Sequence, residues 1–269
     1  MSSRRLLASL ALMGMLTSSA VLASTKTGKL ADGSYGFSDA QKDQIQQVVR
    51  DYLVKNPDVI IQSLQIYQQK QMEQARETIE KTKEISPNFA DALFHQSSDP
   101  VAGGVPGKVT LVEFFDYQCP HCIDMTGVID DLLSKNKDLR IVYKEFPIRG
   151  AVSETAAKAA LAANLQGKYR EFHNALMSVK KLPLTEDIIF STAQSVGLNV
   201  DKLKSDMKSS AIDQQVKDTY KLAQNLKLLG TPAFFIAKSN VTKNAGANSI
   251  VFVPGQVDEA QLQDIIGKM

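Results

Sequence analysis

Two cysteines three positions apart are the candidate reactive groups of this sequence. Cys119 and Cys122 are the only cysteines among 269 residues. They lie where an apolar, strand-like run over 108–115 gives way to a helix-like run that begins at Pro120. A C-x-x-C motif between a strand and a helix is typical of a redox pair. A bridge across so short a loop would add little stability, which argues against a purely structural disulfide.

The position of Cys119 predicts a stabilised thiolate. Pro120 is suited to the first position of a helix, and the free N–H groups and dipole there favour an anion. Cysteines in such places have a pKa of roughly 3.5–7.5, against about 8.5 for a free thiol. We expect Cys119 to be the exposed attacking thiolate and leaving group, and Cys122 the covered resolving thiol. His121, between them, is expected to add charge or a hydrogen bond to the thiolate, which would make the disulfide more oxidising.

Glu113 places a carboxylate in the middle of the apolar run that precedes the cysteines. A buried carboxylate is costly without a role, so one interpretation is a proton acceptor for the Cys122 thiol. The alternative is an outward-facing residue paired with a lysine. Strand alternation puts Glu113 on the face opposite Val112 and Phe114, which leaves both interpretations open.

A metal centre is a weaker interpretation of the same motif. Two thiolates and His121 supply three ligands on neighbouring positions, but no second motif completes a tetrahedral site. We therefore expect neither a metal nor another cofactor. His95 and His173 are isolated in the sequence, and we interpret both as surface or satisfied core residues.

The pattern of elements around the motif predicts an α/β domain. A strand, a helix over 120–134 and a strand over 139–146 form a unit whose parallel strands are joined by a right-handed crossover. A helical insert over about 150–229 follows, and then two strands and a final helix over 257–268. A short edge strand is predicted at 92–95. The five helices predicted in the insert cover 153–164, 168–180, 185–196, 200–208 and 210–229.

The first 23 residues have the pattern of a secretion signal. Arg4 and Arg5 precede a short apolar run, and small residues lead to a predicted cleavage site at about Ala23/Ser24. An uncleaved anchor is the alternative. We predict a periplasmic protein and leave open an association with the outer membrane. Without the two arginines, 29 basic residues balance 29 acidic ones, so charge gives no reason to expect nucleic-acid binding.

Two polar helical stretches lie between the signal and the α/β domain. Residues 24–37 are predicted to be a flexible leader, and residues 38–86 two helices separated at Asn56-Pro57. Apolar residues recur at helical spacing in the first helix, and the second carries a narrow apolar stripe with too little area to fold alone. We predict an oligomerisation segment that pairs with other copies, whereas the alternative is a hairpin folded back on its own domain.

The motifs together resemble the DsbA-type thiol–disulfide oxidoreductases of the thioredoxin fold, over residues 88–269. The resemblance is carried by Phe114-Phe115-x-x-x-Cys119-Pro120-His121-Cys122, the helical insert and Gly230-Thr231-Pro232. It implies a thioredoxin fold with a helical insertion, here preceded by the N-terminal helical segment. It also implies that Pro232 is cis, that Thr231 and Pro232 contact the substrate peptide, and that Glu113 is the buried glutamate under the active site.

Two departures from the oxidising members of that family bear on function. Thr231 stands where those members usually have valine, which resembles isomerase-type members, and the added helical segment is similar to that of oligomeric ScsC-like or Com-like members. In such proteins oligomerisation is thought to block reoxidation by the membrane partner and to favour disulfide shuffling.

These features together predict an exported thiol–disulfide oxidoreductase that forms or isomerises disulfides and that acts as a homodimer or another oligomer. Its expected partners are unfolded or misoxidised exported proteins and a membrane redox protein. One alternative is a monomeric DsbA-type oxidase. Another is a periplasmic chaperone or metal-binding protein that uses the cysteine pair only for binding.

Overall fold

A computed structural model describes residues 36–180, 182–246 and 248–269 of the chain. The predicted signal peptide over 1–23 and all but the last residues of the predicted leader over 24–37 lie outside these ranges. The chain divides into two compact units, one ending at Tyr67 and the other running from Gln68 to Met269.

A five-stranded mixed sheet forms the centre of the second unit. Its spatial order is β1-β3-β2-β4-β5, in which β2 and β3 are parallel and the other neighbouring pairs are antiparallel. The parallel pair is joined by helix α4 (Pro120–Lys135), as predicted. The strands are β1 (Val101–Gly103), β2 (Val109–Phe115), β3 (Leu139–Glu145), β4 (Ala233–Lys238) and β5 (Ile250–Pro254).

The helical insert between β3 and β4 is also confirmed. Three of its helices begin at residues that cap them, since the side chains of Thr185, Asn199 and Ser209 each accept a hydrogen bond from a backbone N–H three residues on. The five helices are α5 (Ala151–Asn164), α6 (Tyr169–Met177), α7 (Glu186–Ser195), α8 (Val200–Asp206) and α9 (Ser210–Asn225). A final helix, α10 (Glu259–Gly267), follows β5.

Strand β2 separates two hydrophobic clusters because its side chains alternate between the faces of the sheet. Leu111 and Phe115 pack with α4 and the insert, together with both cysteines. Val112 and Phe114 pack on the other face with the end of α9. Both faces are covered, which explains why β2 is a continuous run of β-forming residues rather than an alternating one. The mixed α/β thioredoxin fold expected from the sequence is therefore confirmed.

Two helices precede the sheet, α1 (Asp39–Lys55) and α2 (Asp58–Ile85). Ser38 caps α1 in a capping box with Gln41. The last turns of α2 belong to the second unit, where the Thr82 hydroxyl donates to the carbonyl oxygen of Leu226 at 2.8 Å. In the part of the chain that the structure describes, no helix has both the length and the apolar character needed to cross a membrane.

The edge strand predicted at 92–95 is wrong. This stretch is helical, since a short 3₁₀ helix (Ser86–Phe89) leads directly into α3 (Ala90–Phe94). Ala90, Leu93 and Phe94 have the spacing of one helix face, and all three are fully buried against the sheet. The edge of the sheet is formed by β1 instead, which pairs with β3.

Candidate redox-active site

The two cysteines lie at the start of α4, directly after β2. Cys119 is the residue that caps the helix, Pro120 is its first residue, and Cys122 lies in its first turn. The backbone N–H of Cys122 donates to the carbonyl oxygen of Cys119 at 3.0 Å. Both cysteines are free thiols. The strand thus ends and the helix begins at the reactive pair, as the proline at the first helical position predicts.

Cys119 is not exposed, contrary to the expectation from the sequence. Its relative exposure is 0%, the same as that of Cys122. The Cys119 thiol donates to the carbonyl oxygen of Thr231 at 3.3 Å, and the Nη2 atom of Arg149 lies 3.9 Å from the sulfur. The covering groups come from loops distant in sequence, so the local motif gave no indication of them.

The two thiols have opposite acidities. The pKa of Cys119 is lowered to about 5, chiefly by a hydrogen bond from the Cys122 thiol. Burial opposes this change, whereas Thr231, the backbone N–H of Cys122 and the charge of Arg149 lower the pKa further. The pKa of Cys122 is raised well above that of a free thiol, first by burial, then by the hydrogen bond with Cys119 and by the charge of Glu113. Cys119 is therefore the sulfur that ionises.

His121 is exposed, and its Nδ1 atom lies 2.8 Å from Oε1 of Gln256. The groups that chiefly lower the Cys119 pKa are Cys122, Thr231 and Arg149. A role of His121 in tuning the thiolate stays a prediction. Among the described residues, no group of three or more His, Cys, Asp or Glu side chains is arranged to hold a metal ion.

Glu113 is buried on the same face of β2 as Leu111 and Phe115, toward the cysteines. It is 3% exposed, so it is not the outward-facing partner of a lysine. Lys144, on the neighbouring strand, instead forms a buried ion pair with Asp99. Burial raises the pKa of Glu113 to about 8, and the carboxylate in turn raises the pKa of Cys122. The charge of Glu113 thus disfavours ionisation of the Cys122 thiol.

Thr231 and Pro232 lie against the reactive pair at the start of β4. The peptide bond between them is cis, as the resemblance implies. The Thr231 hydroxyl oxygen is buried and has no hydrogen-bond partner among the described residues. Because the Thr231 carbonyl contacts Cys119, this loop forms one side of the reactive pair.

A buried polar network next to the site was not foreseen from the sequence. Oε1 of Glu145 accepts hydrogen bonds from the hydroxyls of Tyr117 and Tyr169, at 3.2 and 2.8 Å. The Tyr117 hydroxyl also lies 3.1 Å from Nδ1 of His173, whose pKa is lowered to about 3 by burial. His173 is thus a satisfied core residue, as interpreted. The one sign of this network in the sequence was an acidic residue, Glu145, at the end of an apolar strand, just as Glu113 lies within an apolar strand.

A parallel β2–β3 pair with a cysteine pair at the start of the connecting helix and a cis-proline loop facing it defines a thioredoxin-type redox protein. The family model of the DSBA-like thioredoxin domain matches residues 110–267, and that of the copper resistance protein ScsC N-terminal domain matches residues 41–74. The chain belongs to the DSBA-like thioredoxin-domain family, and it carries in addition a segment of the ScsC N-terminal type. The resemblance inferred from the motifs is confirmed.

Solved structures agree with this assignment. A thioredoxin-like oxidoreductase from Silicibacter pomeroyi DSS-3 is 38% identical, and the match covers 66% of this chain and 95% of that chain with a TM-score of 0.59. BcfH of Salmonella enterica Typhimurium is 29% identical over 85% of this chain and 96% of that one, with a TM-score of 0.63.

The curated relatives are much longer proteins. A Na(+)/H(+) antiporter NhaA 1 of Mycobacterium sp. (strain KMS) is 30% identical over 143 residues, which are 51% of this chain. The match covers 23% of the antiporter, so this chain spans about a quarter of the length of the curated relatives.

Proposed function

We propose that this protein is an exported thiol–disulfide oxidoreductase that rearranges disulfides in other exported proteins through Cys119 and Cys122. The observation that carries the proposal is the unequal acidity of the two thiols at the start of α4. Cys119 has a pKa of about 5, whereas burial keeps Cys122 protonated. Cys119 is thus a thiolate that can attack at neutral pH, whereas Cys122 stays a protonated thiol.

The reaction begins with attack of the Cys119 thiolate on a sulfur of a substrate disulfide. The substrate S–S bond breaks, a bond forms between Cys119 and one substrate sulfur, and the second substrate sulfur leaves as a thiolate. In isomerisation, another substrate thiolate then attacks the mixed disulfide and releases Cys119 as a thiolate. No net oxidation or reduction occurs in that sequence.

The mixed disulfide between Cys119 and the substrate can also be resolved by Cys122. If Cys122 loses its proton, its sulfur attacks Cys119, the substrate leaves reduced, and a disulfide forms between Cys119 and Cys122. Glu113 is the proposed acceptor of the Cys122 proton, since the two groups interact electrostatically and Glu113 has a pKa of about 8. Run in reverse, the same steps oxidise a substrate dithiol.

Thr231, which resembles the residue before the cis-proline in isomerase-type members, supports disulfide shuffling as the main activity. The low pKa of Cys119 points the other way, since it makes the disulfide of the pair more oxidising. The test is refolding of scrambled ribonuclease together with reduction of insulin. Cys119→Ser is expected to abolish both reactions. Client protection retained by a Cys119→Ser, Cys122→Ser variant, with no exchange activity in the parent protein, would favour a chaperone that uses the pair only for binding. If Cys119 and Cys122 are mostly oxidised in the cell, this would favour the alternative function, a monomeric DsbA-type oxidase.

The N-terminal helices supply the proposed oligomerisation surface. Seven apolar side chains of α1 and of the first part of α2 are each at least 44% exposed, and we assign them to contacts with other copies of the chain. They are Ile45, Val48, Val49, Tyr52, Ile60, Leu64 and Tyr67.

Sedimentation velocity of the exported form tests this assignment. The parent protein is expected to sediment as an oligomer, and a chain of residues 68–269 as a monomer. Leu64→Asp is expected to weaken association, whereas Gln65→Asp serves as a charge-matched control. A monomeric parent at tens of micromolar would contradict the assignment.

Export is proposed from the signal-like pattern over 1–23, and it fits a protein that works on disulfides, which persist in the periplasm. A membrane redox protein is the proposed partner that resets the cysteine pair. Mass spectrometry of protein released from the periplasm should find Ser24 as the first residue, and membrane fractionation of the same cells tests an association with the outer membrane.

A further inference from the structure

Arg149 contacts the sulfur of the reactive cysteine. Its Nη2 atom lies 3.9 Å from Sγ of Cys119, within the range of a hydrogen bond to sulfur. The residue lies in the loop between β3 and α5, 30 positions after Cys119. The sequence motif assigns the charge beside the thiolate to His121, whose Nδ1 atom contacts Gln256 instead.

The loop that carries Arg149 is fixed to the segment that carries Cys119. Oδ2 of Asp116 accepts a hydrogen bond from the backbone N–H of Arg149 at 2.9 Å. The other oxygen of this carboxylate accepts from the backbone N–H of Gln118 at 2.7 Å and from the Ser153 hydroxyl at 2.8 Å. One buried carboxylate thus joins the two loops, so the backbone of Arg149 is held beside the segment that carries Cys119.

The residue after Arg149 completes this arrangement. Gly150 has a φ of +96°, a conformation that side-chain-bearing residues rarely adopt, and α5 begins directly after it. The chain therefore turns sharply directly after Arg149, the residue whose guanidinium contacts the sulfur of Cys119. The side chain of Gln118 adds a second link, since its Nε2 atom donates to the carbonyl oxygen of Arg149 at 3.4 Å.

We propose that Arg149 is a catalytic residue of the disulfide exchange, holding negative charge on the Cys119 sulfur when it attacks and again when it leaves the mixed disulfide. This inference rests on the exchange activity proposed above. The groups around the sulfur are the Cys122 thiol, the Thr231 carbonyl and the Arg149 guanidinium, and the last of these carries the full positive charge.

An arginine in this position has a consequence that a histidine would not have. A guanidinium stays protonated throughout the physiological pH range, so its effect on Cys119 does not vary between pH 5 and pH 8. Stabilisation of the thiolate favours the dithiol over the disulfide, which makes the disulfide a stronger oxidant. Arg149 is therefore expected to increase the oxidising power of the pair.

Two measurements on the full chain test this proposal, namely thiolate absorbance at 240 nm during pH titration and the equilibrium with reduced and oxidised glutathione. A unit charge at about 4 Å in a largely aqueous setting changes an ionisation constant about fivefold. Arg149→Met is expected to weaken the acidity of Cys119 by about three- to tenfold and to make the disulfide harder to reduce by a similar factor. A tenfold change corresponds to about 30 mV.

Three further variants make the result specific. Arg149→Lys keeps the charge and is expected to recover at least half of the change on a logarithmic scale. Arg76→Met removes an exposed arginine from α2 and is expected to match the parent protein. His121→Leu is expected to change the acidity of Cys119 less than Arg149→Met does.

Two results would overturn the proposal: an unchanged Cys119 acidity in a folded Arg149→Met protein, or an Arg149→Lys variant shifted as far as Arg149→Met. Either result leaves the proposed function intact if the parent protein still exchanges with glutathione. A parent protein that does not exchange at all would instead contradict the proposed function.

Discussion

The sulfur of Cys119 lies 3.3 Å from the carbonyl oxygen of Thr231, a residue 112 positions away in the sequence. The contact joins the half of the domain that contains the reactive pair to the half that begins with β4. It also covers the sulfur, which is fully buried. The surroundings of the Cys119 sulfur are consequently formed by both halves of the domain.

The Cys122 thiol is the first cause of the low pKa of Cys119. Alkylation of Cys119 with iodoacetamide should show a rate that rises with pH around a midpoint of about 5. Cys122→Ala removes the hydrogen-bond donor and should move this midpoint upward, whereas Cys122→Ser keeps a hydroxyl donor and should move it less. A midpoint near that of a free thiol in the parent protein would contradict the assignment of Cys119 as the ionised sulfur.

Glu113→Gln should slow the resolving step without slowing the attack. The variant lacks the proposed acceptor for the Cys122 proton, and loss of such a group typically costs a factor of about 10² or more. Reaction with a chromogenic aromatic disulfide separates the steps, since attack by Cys119 releases one coloured thiolate and resolution by Cys122 releases the second. In the parent protein the second phase should accelerate as the pH rises through about 8, the pKa of Glu113.

The control for that experiment is Glu113→Asp, which keeps a carboxylate and should retain part of the second phase. Equal loss of both phases would point to a general disturbance of the site. An unchanged second phase in a folded Glu113→Gln protein would remove Glu113 from the mechanism.

The same glutamate should make the stability of the fold depend on pH. Its pKa is raised from 4.5 to about 8 by burial, so the folded chain keeps a proton that the unfolded chain releases. This stabilising effect is complete below about pH 4.5 and is lost as the pH rises through about 8. Glu113→Gln stays neutral, and its advantage in free energy of unfolding over the parent should grow to roughly 3 kcal/mol at pH 7.

Urea unfolding of the reduced proteins at several pH values measures this difference. Glu77→Gln, on the exposed surface of α2, provides the control and should follow the parent at every pH. A constant difference between Glu113→Gln and the parent from pH 4.5 to pH 8 would show that the carboxyl group does not hold its proton in the folded chain.

The end of α2 should contribute to the stability of the second unit. The hydroxyls of Thr82 and Thr78 each lie within hydrogen-bond distance of the carbonyl four residues earlier, but only Thr82 shares its single proton with a second carbonyl, that of Leu226. Thr82→Val is expected to lower the free energy of unfolding by about 1–3 kcal/mol, because the buried Leu226 carbonyl loses its partner. Thr78→Val, the matched control, should change it by less than about 0.5 kcal/mol. Equal effects in thermal or urea unfolding would contradict a specific contribution of Thr82.

The sequence predicted the parts of the fold that depend on local patterns. The run of β-forming residues in β2 and the proline after Cys119 were sufficient to place the strand, the helix and the reactive pair. The edge strand predicted at 92–95 is wrong because a run of four mostly apolar residues fits a strand as well as a helix. The pattern becomes helical only when Ala90 is read together with Leu93 and Phe94.

The contacts that shape the site could not be read in this way. Arg149 and Thr231 reach Cys119 from loops 30 and 112 residues away, and their approach depends on the folding of the helical insert. The covering of Cys119 follows from the same loops. The proposed role of Glu113 was suggested by an acidic residue within an apolar strand, whereas the face of the strand on which it lies and its burial required the sheet.

The most direct test of the account is to identify the cysteine that forms the mixed disulfide. Cys122→Ser and Cys119→Ser proteins are incubated at pH 7 with a disulfide-bonded unfolded peptide, and the adducts are located by intact-mass and fragment-mass measurement. We predict an adduct on Cys119 in the Cys122→Ser protein and none in the Cys119→Ser protein. An adduct that forms on Cys122, or no adduct in either protein, would contradict the assignment of Cys119 as the nucleophile of a thiol–disulfide oxidoreductase.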